Sequence, residues 1–144
     1  MSESQHVVPL LVYEDIAGVQ AFLVRAFGFE AGILERDGEG RVVHGEVSIG
    51  GSVIWMHRAT AAHGLSSPQG LAVSSGVVVL VDDVDDHYRR ARAAGAVIER
   101  EPENQPYGQR EYSARDSGLR AHVPLLLHPR ETFGRGGPEA GPEP

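Results

Sequence analysis

VVPLLVYEDIAGVQAFLVRAFG, residues 7–28, decides the fold of this chain. It opens on an apolar run of strand length, rich in Val and Leu, and halts at Glu14-Asp15, where Asp15 can cap a helix. Ile16, Val19, Leu23, Ala26 and Phe27 then recur at helical spacing, and Gly28 stands where a helix end favours a left-handed residue. The spacing predicts one amphipathic helix of about three turns. GVVVLVDDVDDHYRRARAAG, residues 76–95, repeats the pattern: a Val-rich strand, an acidic stop, Val84, Tyr88, Ala91 and Ala94 at helical spacing, and Gly95 at the end. Asp15 and Asp83 are 68 residues apart, and an internal repeat fixes architecture more firmly than any isolated motif.

Each helix is followed by strand-like segments. In the first half these are EAGILERD (30–37), broken by Asp37-Gly38, then RVVHGEVSIG (41–50) and SVIWMHR (52–58), joined as a hairpin at Gly50-Gly51. Within 41–50, Val43, Val47 and Ile49 share one face, while His44, Glu46 and Ser48 share the other. In the second half they are AVIERE (96–101), a loop at 103–109, REYSARD (110–116) and AHVPLLLHP (121–129). The reading is an α+β fold of two tandem βαβββ modules, 7–58 and 75–129. They form a curved mixed sheet around a cleft, with the helices outside. Residues 59–74 are the connection, the domain spans 1–133, and the Gly/Pro/Glu-rich 134–144 is expected to be a mobile tail.

The 144 residues suffice for one domain, and 41% apolar with 23% charged residues is a soluble globular balance. No apolar run approaches the roughly 20 residues that span a bilayer, and MSESQH lacks the features of a secretory signal, so a cytoplasmic protein is expected. The absence of cysteine excludes disulfides, thiolate zinc sites and thiol nucleophiles. Thirteen basic against twenty acidic residues leave a net charge of −7, a poor basis for nucleic-acid binding and a mild attraction for cations. No GxSxG, P-loop or HExxH motif is present. The pairs Glu14-Asp15, Asp82-Asp83 and Asp85-Asp86 are explained by capping and the helix dipole, and Arg89–Arg92 by a solvated helix face.

Carried by YED (13–15), RAFGFE (25–30), VHGEVSIGGSVIWM (43–56), VDDVDDHYRRARAAGA (81–96) and EPENQPYGQREYSARD (101–116), the chain resembles the vicinal oxygen chelate superfamily. That superfamily includes glyoxalase I, the bleomycin-resistance proteins and the extradiol dioxygenases. The resemblance implies homodimers with clefts across the subunit interface and, in the metal-using members, His and Glu ligands from the first and fourth strand of each module. Placed on this sequence, the four ligand slots hold Val8, Gly76, Trp55 and, allowing for a one-residue deletion at Asp116-Ser117-Gly118, His122. One ligand of four falls short of the three that catalytic sites ordinarily use, so no metal and no cofactor are expected.

What should face the cleft instead is aromatic and polar. Trp55 offers a planar stacking surface that attracts cations. His44, Glu46, His57, Tyr107, Tyr112 and His122 are the accompanying candidates for ligand binding. The remaining imidazoles have plainer readings: His6 at a terminus, His63 in a loop, His87 on a helix surface, His128 at a strand end. The expected function is metal-independent binding of a planar or cationic small molecule such as an antibiotic, by a homodimer. The alternative is a divalent-metal lyase, isomerase or dioxygenase with ligands rearranged onto His122, Glu46 and His44 or His57. A third reading, action through protein contacts alone, would show as a cleft filled by the chain's own side chains.

Overall fold

Asp15 and Asp83 end the two Val-rich strands for the same reason. In the computed structural model, which describes residues 5–60, 62, 64, 76–115 and 124–129, each aspartate accepts a hydrogen bond at 3.0 Å from a main-chain N–H three residues on, Gly18 and Asp86 respectively. Those bonds start helices α1 (Ile16–Phe27) and α2 (Val84–Ala93). Gly28 closes α1 in the left-handed conformation, φ 77°, with its N–H on the Leu23 carbonyl. In α2 the C-cap is Ala94, and the left-handed Gly95 follows it.

The strands are β1 (Leu10–Val12), β2 (Glu30–Arg36), β3 (Val42–Ile49), β4 (Ser52–His57), β5 (Val77–Val81), β6 (Ile98–Asn104), β7 (Arg110–Arg115) and β8 (Pro124–Pro129). They form two four-stranded mixed sheets, ordered β1-β4-β3-β2 and β5-β8-β7-β6, each with one parallel pair at its β1 or β5 edge. The repeat seen in the sequence is therefore a repeat of topology. β1 is shorter than the run at 7–13: Pro9 has no N–H to offer, although its carbonyl still accepts from Trp55 at 2.9 Å. β6 extends to Asn104, which shortens the expected loop to the turn around Gln105–Gln109. Beyond residues 59, 60, 62 and 64, the connection lies outside the described residues, as do the tail and the Asp116-Ser117-Gly118 segment.

Each helix covers one face of its own sheet. Ile16, Val19, Phe22, Leu23, Ala26 and Phe27 bury against Val47, Ile54 and Met56. Gly45 allows the approach: a Cβ there would lie 2.7 Å from Ile16 Cγ2 and 3.0 Å from Leu34 Cδ2. The second helix buries only Val84 and Ala91 completely, over a sheet face bearing Val79, Tyr112, Ala114 and Leu127. The modules meet through the helices, where Arg90 of α2 donates at 3.3 Å to the Val24 and Arg25 carbonyls that end α1. Among the described residues no helix is long and apolar enough to cross a membrane.

Candidate functional site

The register of β3 and β4 assembles the site. His44 lies opposite His57, Glu46 opposite Trp55, and Ser48 opposite Val53, all on the face turned away from α1. The intervening Gly45–Met56 and Val47–Ile54 pairs occupy the helix-covered face. Leu10 and Val12 of β1 add an apolar border, in register with Trp55 and His57. Val12 and Val53 are buried yet belong to no part of the main core cluster, so this open face has an apolar floor of its own.

A buried polar residue holds the floor in place. Gln20, on the buried side of α1, donates from Nε2 to the carbonyls of Glu46 (2.8 Å) and Gly32 (3.2 Å). These carbonyls flank the irregular stretch of β2 between Ala31 and Leu34. Gly32 has no room for a side chain, because a Cβ would sit 2.9 Å from that of Glu46. The helix thus fixes the main chain from which the Glu46 side chain projects to the opposite face. Gln20 was visible in the sequence as a polar residue at a core position of the helix, a signal that points to a satisfied buried amide.

Within the cluster, His44 Nε2 lies 3.5 Å from Glu46 Oε1, and the His44 ring meets Trp55 edge-on with centroids 5.6 Å apart. His57 is 6.4 Å from His44 by ring centroid, and its Nδ1–H donates to the Arg58 carbonyl at 2.7 Å. Trp55 Nε1 is shielded from solvent and has no acceptor among the described residues. An unmade bond of that kind costs about 1–3 kcal/mol. Glu30 and Glu35 stand in register with Ser48 and His44, so the face carries three carboxylates.

The structure brings together His44, Glu46, Trp55 and His57, and it separates the two tyrosines from them. Tyr107 sits half-exposed in the β6–β7 turn of the second module, where its hydroxyl donates to Glu111 Oε1 at 2.5 Å. That bond, with burial and the carboxylate charge adding to it, pushes its pKa up to about 12. Tyr112 points toward α2, where burial raises its pKa and His87 and Tyr88 surround its ring. Alternation puts the Tyr112 side chain on the same side as Ala114, under the helix, and not on the open face. His87 is likewise not on the helix surface but lies between the modules. His122 and His63 lie outside the described residues.

A divalent metal, which the family resemblance allows for, finds few ligands here. Val8, Gly76 and Trp55 offer no side-chain ligand, His57 spends Nδ1 on a carbonyl, and His44 with Glu46 makes a two-member pair. Among the described residues no three His, Asp or Glu side chains are placed to hold an ion, so His44, Glu46 and His57 do not fit one. On the second sheet, Arg100, Gln105, Glu111, Tyr112, Ser113 and Leu126 border a pocket of about 30 Å³. That is room for water rather than for an organic molecule, whose sites run to about 300–1,000 Å³.

A family model described as Glyoxalase/Bleomycin resistance protein/Dioxygenase superfamily matches residues 4–118. The chain is similar to TioX from Micromonospora sp. ML1 at 30% identity and TM-score 0.69, over 87% of this chain and 98% of that one. It resembles in fold a lactoylglutathione lyase from Agrobacterium tumefaciens (20% identity, 91% and 97% covered, TM-score 0.65). The fold is also that of the fosfomycin resistance protein FosX from Listeria monocytogenes (18% identity, 87% and 92% covered, TM-score 0.65). No curated protein matches the chain.

Proposed function

Because the chain belongs to the glyoxalase/bleomycin resistance protein/dioxygenase superfamily, we propose that it binds and sequesters a planar, cationic small molecule, such as an antibiotic, without a metal ion. The observation that carries this reading is the Glu46–Trp55 pair, directly opposed across β3 and β4 on the open face. An aromatic face attracts a cation, and a carboxylate beside it supplies the counter-charge. Leu10, Val12 and Val53 offer apolar contact around the ring, and His44 closes one edge. Holding a molecule in this way needs orientation and desolvation but no bond making.

A second copy of the chain completes the site. Among the described residues each sheet has its own helix over one side, and the two helices hold the sheets together from those sides. Leu10 and Val78 occupy equivalent positions of the repeat on the edge strands β1 and β5, and they are 41% and 49% exposed. A homodimer that sets the open face of the first module against that of the second buries both and encloses a ligand at Trp55. The reading places this activity in the cytoplasm.

The single tryptophan makes the test direct. Proflavine, a planar cation, is expected to quench Trp55 emission saturably, and the complex is expected to persist after chelator treatment. Trp55→Ala should abolish tight binding while size-exclusion light scattering still reports a dimer. No response to proflavine or to other planar cations overturns the sequestration reading. Stoichiometric binding of Mn, Fe, Ni or Zn ions by untagged protein, with ligand affinity lost on chelation, establishes the metal-enzyme alternative instead.

A further inference from the structure

We propose that His87 is a proton-sensitive pin between the two modules, holding them together when neutral and releasing its grip when protonated. The pin joins three elements. From α2, His87 Nε2 lies 2.8 Å from the Phe27 carbonyl at the end of α1, and Nδ1 lies 2.5 Å from the Tyr112 hydroxyl on β7. A carbonyl only accepts, so Nε2 must carry the hydrogen. In the neutral ring Nδ1 is then an acceptor, and the tyrosine hydroxyl must donate to it. The Phe27 and Tyr112 rings each lie 5.8 Å from the imidazole by centroid. One tautomer of one side chain thus satisfies a helix-terminal carbonyl from the first module and a buried hydroxyl from the second.

Protonation breaks half of this arrangement. The ring then has two N–H donors, and Nδ1–H meets an oxygen whose own hydrogen already points at it. The tyrosine proton must turn away into a core of Ala114, Leu127 and Val79. The Arg90 charge also opposes protonation of the ring. Arg90, three residues along α2, is already committed to the Val24 and Arg25 carbonyls. The charged residue of α1 is Arg25, whose guanidinium lies over Phe22. On β7, Arg110 is paired with Asp85 of α2, Arg115 with Glu99, and Glu111 receives the Tyr107 hydroxyl on the opposite face. The other neighbouring titratable group, Tyr88, donates to Glu101.

Burial, reinforced by Arg90 and partly offset by the Phe27 carbonyl, holds His87 below the ordinary imidazole pKa of 6.5. A base depressed on folding takes up its proton more readily when unfolded. The stability that the pin contributes is therefore complete above pH 6.5 and drains away as pH falls toward the lower folded-state value.

Full-length protein tests this by histidine ring NMR. His87 is expected to titrate below 6.5, and Tyr112→Phe, which leaves Nδ1 without a donor, is expected to move its titration up toward 6.5. In parallel, the thermal midpoint of the wild type should fall by about 3 °C more between pH 7.5 and 5.5 than that of His87→Phe. The cysteine-free chain also accepts a spin-label pair at Gly38→Cys and Glu103→Cys, one on each module. Its distance distribution should broaden once His87 is protonated. A His87 that titrates at or above 6.5, a titration unmoved by Tyr112→Phe, or a distance distribution unchanged after protonation overturns the proposal. None of these readouts uses a ligand, so their outcome is independent of what the open face binds.

Discussion

The two modules share a topology and a capping device and differ in what each helix and each open face contains. The first helix buries seven residues, Ile16, Val19, Gln20, Phe22, Leu23, Ala26 and Phe27. The second buries two and turns most of its length, including the acidic first turn and Arg89, Arg90 and Arg92, to solvent or to the other module. On the open faces, Trp55 in the first sheet corresponds to Leu126 in the second, each beside the matching edge-strand residue Leu10 or Val78. Duplication gives two scaffolds of the same plan; the side chains make the first carry both the larger share of the core and the Trp55 cluster.

Substitutions that make one module like the other measure this asymmetry. Leu23 and Ala91 are repeat equivalents, 68 positions apart and both buried. Leu23→Ala, which gives α1 the residue that α2 already has, is expected to cost about 2–5 kcal/mol in denaturant unfolding. A cost below 1 kcal/mol would show that the first helix carries no special share of the core.

The next contrast concerns binding. Trp55→Leu, the second module's residue at that position, should weaken proflavine about 30-fold in fluorescence-detected competition or calorimetry, or about 2 kcal/mol. The folded-state circular dichroism should stay unchanged. Glu46→Gln keeps the shape and removes the charge; about a tenfold loss for the cation, with no loss for a neutral planar analogue, is expected. Equal losses for both would assign Glu46 to packing and not to charge recognition.

The smallest effect is expected where the modules agree. Asp15→Ala and Asp83→Ala each remove one capping bond of 3.0 Å, and each should cost about 1 kcal/mol in thermal or urea unfolding. A difference between them larger than that cost would mean that the equivalent caps are not energetically equivalent.

Much of this was legible because periodic patterns report on faces. The helix starts, the Gly28 terminator, the hairpin at Gly50-Gly51 and the division of β3 into Val43/Val47/Ile49 and His44/Glu46/Ser48 all follow from spacing, and the register of β3 with β4 bears them out. The same rule places Tyr112, since it alternates with Ala114 as the apolar side of an otherwise charged strand. His87 left no such trace. A histidine among aspartates and arginines reads as solvated, and only the meeting of two helices, which no local pattern encodes, turns it inward. The two-module reading also holds at the level of strand pairing, since each module supplies its own four-stranded mixed sheet.

The last turn of α1 is finished by side chains from the other half of the chain. The carbonyls of Val24, Arg25 and Phe27 find their donors on Arg90 and His87. Severed at the linker, an amino-terminal fragment would leave those oxygens bare and a carboxy-terminal fragment would strand the donors that fit them. Two separately expressed halves, mixed together, should accordingly reassemble through that joint, and cutting between them would turn an internal seam into a recognition surface.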